Sequence, residues 1–208
     1  DVIINAVVTT TGFGADVLVT ADTNNDGDGG VQVTAAGQVV SADAIVLTGS
    51  DLHATMGIAD SVRIEADGAN DQLLANGNIT LQNSAAAGST TDLVIDGRLH
   101  STAGNIALNA RDTIIARSAI IANAGSVTFQ DALVLSGDLQ VTAGTTALFQ
   151  GTVNDDANAG TTSNLTVSAA GTTTFTGAVG NTAAISSLTT DAGGTTELCG
   201  GSVTTVNG

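Results

Sequence analysis

Three observations predict an all-β chain wound as a parallel β-helix, a β-solenoid of roughly nine short coils with little or no helix. The first is a repeat. Residues 139–153 (Leu-Gln-Val-Thr-Ala-Gly-Thr-Thr-Ala-Leu-Phe-Gln-Gly-Thr-Val) return at 165–179 and again, shortened, at 188–200. The offsets are 26 (139 to 165) and 23 (165 to 188), too short for a domain, so each copy must stack on its neighbours to bury an apolar face. The second is alternation within each copy, Leu139, Val141, Ala143 and Leu165, Val167, Ala169, which is the period of a half-buried strand. The third is composition: 26 Gly and no Pro punctuate short β-branched runs, with 42% hydrophobic residues, too many for a disordered chain.

In chain order, Val2-Ile3-Ile4, Val7-Val8, Thr9 to Thr11 and Val17 to Ala21 read as strands interrupted at Gly12-Phe13-Gly14. Asp22 to Gly30 is the most polar stretch. Strands resume at Val31, Ile45, Val62 and Ile79, with starts 14, 17 and 17 residues apart. Asp51 to Ala59 lacks alternation and fits either a short helix or a loop. Leu93 to Ile121 is the most aliphatic region and holds Arg98, Arg111 and Arg117. Gly125-Ser-Val-Thr-Phe129 matches Gly171 to Phe175, so one column runs Phe129, Phe149, Phe175, Leu198. Residues 1–208 therefore read as one continuous solenoid, less regular over 1–76, where the acidic loop 22–30 lies, and regular over 77–208.

Charge narrows the partners. With 4 Lys+Arg against 20 Asp+Glu the net charge is −16, which disfavours nucleic acid and anionic membrane surfaces. No apolar run approaches the ~20 residues of a membrane-spanning helix. One Cys permits no internal disulfide. The chain begins without Met and reads as a processed product or a piece of something longer.

The segments Gly-Asn-Ile-Ala-Leu-Asn-Ala (104–110), Gly-Ser-Val-Thr-Phe (125–129) and Gly-Thr-Thr-Thr-Phe-Thr-Gly-Ala-Val (171–179) resemble coils of filamentous-haemagglutinin-like large exoproteins, repetitive bacterial surface adhesins. The resemblance covers most of 77–208. It implies a right-handed β-helical shaft, an extracellular or cell-surface location, and a structural or adhesive role toward a cell-surface or matrix ligand, with no catalytic residue to transfer.

Asp22, Asn24, Asp26 and Asp28 form the candidate metal site. Oxygen donors at alternate positions, with Gly27 permitting a sharp turn, suit Ca²⁺; position twelve of the loop is Val33, not a bidentate Glu. A solvated inter-coil loop is the competing reading. Asn154-Asp155-Asp156-Ala157-Asn158 reads as a second acidic loop that lengthens the 26-residue repeat. Thr9 to Thr11, Thr145-Thr146, Thr172 to Thr174 and Thr195-Thr196 are expected to stack into ladders on one face, a surface that packs by β-branching or binds ice. The chain is not expected to be an enzyme: aromatics are 2%, all Phe, and His53 and His100 have no partner pattern. The arginines are expected to balance carboxylates, and Cys199 to point outward, beside the Phe column.

Neither end reads as a polar cap, since Val2 to Val8 and Ser202 to Val206 keep the strand pattern. The expected function is a rod, either a filament subunit stacking end to end on copies of itself or a shaft segment flanked by more solenoid. The alternative is a ligand-binding β-solenoid module, for calcium-dependent glycan or ice binding.

Overall fold

The computed structural model describes residues 1–23, 29–51, 60–68, 70–84, 92–157, 162–191 and 193–206. These residues contain strands and turns but no helix, and every strand pair among them is parallel. Strands follow one another in courses of three, and each pairs with its counterpart in the next course.

The first course is β1 (Val2–Ile4), β2 (Val7–Thr9) and β3 (Val17–Thr20). The second is β4 (Val31–Val33), β5 (Gln38–Ser41) and β6 (Ile45–Gly49), and the third β7 (Asp60–Ile64), β8 (Asp71–Ala75) and β9 (Ile79–Asn83). The fourth is β10 (Asp92–Ile95), β11 (Arg98–Ser101) and β12 (Ile106–Asn109). In the fifth and sixth the first two strands fuse into β13 (Thr113–Ala122) and β15 (Ala132–Ala143), followed by β14 (Val127–Phe129) and β16 (Ala147–Phe149). The seventh is β17 (Val153–Asp155), β18 (Asn164–Ala169) and β19 (Thr172–Phe175). The eighth bridges at Val179 and adds β20 (Ser187–Thr190) and β21 (Thr195–Leu198); further bridges at Val203 and Thr205 begin another.

The first face is β1-β4-β7-β10, continued by the start of β13, the start of β15, and β17; the second is β2-β5-β8-β11, continued by the ends of β13 and β15, then β18 and β20. The fused strands join these two faces into a 13-stranded sheet. The third face is a separate 8-stranded sheet running from β3 to β21.

Alternation sends one residue in two inward, giving columns such as Ile45, Ile79, Ile106, Val127 on the third face, all fully buried. The register is the one that the sequence repeat predicts: Leu139 lies opposite Leu165 and Leu165 opposite Leu188, the same 26 and 23 offsets. The Phe column also forms. Phe129 and Phe149 stack at 4.7 Å between ring centroids, and Phe149 and Phe175 at 4.6 Å, nearly parallel, so each ring covers its neighbour's face. Such pairs add about 0.5–1.5 kcal/mol beyond their area burial.

The corners are built from small residues because successive courses approach most closely there. A Cβ on Gly104 would overlap the Gly77 backbone, and one on Gly125 the Gly104 carbonyl. Gly151, Gly177 and Gly200 form a second column on the corner leading into the first face. Side chains close the first of these corners as well. Asn78 Oδ1 accepts from the Asn105 amide at 2.8 Å, and Asn105 Oδ1 from the Ser126 amide at 2.8 Å. These caps satisfy donors that no strand partner reaches.

Two bulges mark the third course. Register slips between Asp92/Leu93 against β7 and between Arg98/Leu99 against β8. The extra residues, Ser61 and Gln72, are buried; Ser61 Oγ donates to Asp92 O at 3.0 Å and Gln72 Nε2 to Gly37 O at 2.7 Å.

Phe149→Ala removes the middle ring of the stack without touching a corner. Equilibrium denaturation should show a loss of about 3–5 kcal/mol, and a loss below about 1 kcal/mol would mean that the stack does not hold neighbouring courses together.

Candidate functional site

Of the expected calcium ligands, Asp22 closes the first course at a positive φ of 54°, half-buried. Asn24, Asp26 and Asp28 lie outside the described residues, as do Leu52 to Ala59, including His53. Among the described residues no group of three His, Cys, Asp or Glu side chains is placed to hold a metal ion.

Two expectations are corrected. Asn154 and Asp155 belong to β17 rather than to a loop. Asp155 is 6% exposed; its Oδ2 accepts the Ser163 amide at 3.1 Å, and Asn154 Oδ1 accepts the Thr182 amide at 3.0 Å. The longer 26-residue repeat arises instead in 156–163, between β17 and β18. Their acidic character signalled a turn, whereas both side chains serve as caps for neighbouring backbone. The Thr clusters do not form one face either. Thr172 pairs with Thr195 and Thr173 with Thr196, but alternation turns Thr173 into the core at 2% exposure, and Thr9 sits on the other sheet.

The cations balance carboxylates as expected. Arg63 Nη1 meets Asp60 Oδ2 at 2.7 Å, Arg98 Nε meets Asp71 Oδ1 at 2.8 Å, and Arg117 Nε meets Asp96 Oδ1 at 2.8 Å. Arg111 Nε instead donates to the Asn83 carbonyl at 3.3 Å. His100 Nδ1 lies 2.9 Å from Asp71 Oδ2, and Nε2 3.0 Å from Asn123 Nδ2. The ring thus bridges three courses, Nδ1 toward the Asp71 carboxylate and Nε2 toward the Asn123 amide. Cys199 is exposed, one position past Leu198.

Sequence reasoning missed a carboxylate stack. Asp60 and Asp92 are register partners at the starts of β7 and β10. Burial raises the Asp60 carboxyl above its usual range, against the Arg63 hydrogen bond and charge that lower it. Burial first, then the charges of Asp112 and Asp60, push Asp92 up to about 6. Asp92 Oδ1 is buried with no hydrogen-bond partner among the described residues. The signal was present in the two aspartates that open matching strands, but the inserted Ser61 hid their alignment.

A second missed feature is a trough along the corner between the first and second faces. The connection there is six residues in the third course (65–70), two in the fourth (96–97), none in the fifth and sixth, and eight in the seventh (156–163). Ser118, at a positive φ of 81°, lies at the bend of β13. Two concavities meet at Ser118: one of about 180 Å³ beside Asp67, Asn70 and Arg98, and one of about 530 Å³ beside Asp138, Gln140, Asn164, Thr166 and Ser187.

No protein-family model matches this chain, and no curated protein or solved structure does either. The resemblance to large exoproteins therefore rests on the repeated segments alone.

The carboxylate stack makes a prediction about acid stability. A folded-state pKa raised above the unfolded value means that the folded chain holds a proton that the unfolded chain has released. Stability from this group is thus greatest at low pH and is lost as pH rises from about 4 through about 6. Asp92→Asn should raise the Tm at about pH 7.5 and leave it little changed at about pH 4. An equal shift at both pH values would show that Asp92 does not titrate in this window.

Proposed function

We propose that this chain is a stretch of rod-like β-solenoid, right-handed as in the exoproteins it resembles, acting outside the cell as a non-enzymatic structural or adhesive element: a filament subunit or adhesin shaft segment. The observation that carries the reading is the unbroken parallel register. The same inward columns pass through all eight described courses, so length is added by repeating the unit rather than by enlarging the core. That construction suits distance and stiffness better than a closed pocket.

The outer courses support the end-to-end part of the reading. On the first course Ile3 is 54% exposed, Val7 61% and Leu18 69%; on the last, Leu198 is 54% exposed. The register partners of Ile3 and Leu198, Gln32 and Phe175, are 2% and 1% exposed, and those of Val7 and Leu18, Gln38 and Val46, are half-buried. A further β course fits each end, supplied by continuation of the chain or by a second copy. Ca²⁺ held by the loop from Asp22 to Asp28 belongs to the same reading as a local clamp between the first two courses.

Negative-stain microscopy of the natural material, with its intact mass, tests the rod. Straight unbranched rods longer than the ~40 Å of eight courses are expected. A mass equal to this chain alone assigns them to stacked copies, and a larger mass to a continuous shaft. Compact, monodisperse particles would overturn the proposal. A chelator should lower the Tm if Ca²⁺ clamps the loop; an unchanged Tm removes the ion from the reading.

A further inference from the structure

The trough between the first and second faces has a lining that the rod reading does not use. Its wider part carries two polar columns side by side. In one, Gln140, Thr166 and Thr189 are register partners through the sixth, seventh and eighth courses. In the other, Asp138 Oδ1 accepts both the backbone amide and Nδ2 of Asn164, at 2.8 and 3.0 Å, and Ser187 Oγ donates to Asn164 Oδ1 at 2.7 Å. The second column is held rigid by its own hydrogen bonds. The first is not: Gln140 and Thr166 are exposed, and neither side chain bonds to another described residue.

We propose that this trough binds a neutral linear oligosaccharide lying along the stacking direction. Shape comes first. The concavity is long, shallow and open, which suits a chain rather than a compact cofactor. Its chemistry is that of sugar recognition: an amide donates and accepts at once, a hydroxyl does either, and a carboxylate accepts, together matching the paired donor and acceptor character of vicinal hydroxyls.

Charge selects among sugars. Arg98 and Arg117, the cations of this corner, are engaged by Asp71 and Asp96, while Asp67 and Asp138 stay exposed on a chain of net charge −16. A polyanion is repelled there, and a neutral chain is not. Spacing supplies the last argument. The free groups recur once per course, about every 4.8 Å, so a ligand with its own regular repeat meets an equivalent set of partners at each unit. From the third-course connection to the eighth course the lining covers five spacings, on the order of 24 Å, and the paired polar columns occupy the last two of them.

The inference is independent of the rod reading, since it needs the trough and not the ends. The test is an amide-resolved NMR titration of the full chain with neutral tetrasaccharides of glucose, xylose, mannose and N-acetylglucosamine, beside tetragalacturonate as the charged control. The expected result is saturable shifts at 138–140, 164–166 and 187–189 with at least one neutral chain. The double variant Gln140→Ala/Thr166→Ala should weaken that binding by about tenfold or more at unchanged Tm, both side chains being outside the core. No saturable shift with any neutral chain up to about 10 mM would overturn the proposal. So would binding of tetragalacturonate alone, or shifts confined to another face. Rods seen by microscopy without sugar binding would leave the proposed function standing and remove this site.

Discussion

Parallel, in-register stacking at one strand spacing is the constraint from which the rest of this structure follows. Each side chain has a counterpart about 4.8 Å above and below it, so stacking favours columns whose residues pack against their own kind. Inside, that favours Ile, Leu, Val and the three-ring Phe stack, whose centroid separations of 4.6 and 4.7 Å match the strand spacing. At the corners it leaves no room for a Cβ along Gly77, Gly104 and Gly125, or along Gly151, Gly177 and Gly200. Outside, it turns single polar residues into ladders, as where Asn109 Nδ2 donates to Gln130 Oε1 at 2.9 Å.

The same constraint is unfavourable when the stacked residues carry like charge. Asp60 beneath Asp92 is a carboxylate on a carboxylate at a half-desolvated corner, and Arg63 compensates only the lower of the two. The upper one retains its proton into the weakly acidic range. A chain rich in aspartate avoids this elsewhere by spending its carboxylates as backbone caps: Asp131 accepts from the Ala110 amide at 2.7 Å and Asp138 from that of Asn164. Acidity in this molecule is thus partly structural, and not only a means of solubility.

Variation in length is greatest at the corners, and within the faces it takes the form of the single-residue bulges at Ser61 and Gln72. Where β13 and β15 run through the bend and neighbouring courses carry longer connections, the surface dips, and the dip is lined by the polar residues that begin the second face. The inward columns hold successive courses together, and the corners set the shape of the surface beside them.

The all-β class, the strand period and the register of the regular half were legible in the residues. The 26- and 23-residue offsets and the line Phe129, Phe149, Phe175, Leu198 are the pairing itself, because a stacked repeat writes its neighbours into the sequence at a fixed separation. The irregular first third was harder to read, since its starts at Val31, Ile45, Val62 and Ile79 alternate between the first and third faces, and the bulges at Ser61 and Gln72 break the count. Tertiary structure alone decided that Asn154 and Asp155 form a strand whose side chains cap neighbouring backbone, that Thr173 faces inward, that Asp60 lies on Asp92, and that a trough runs past Ser118. Each depends on which courses become neighbours and how their corners bend, and spacing along the chain does not encode the direction in which a corner turns.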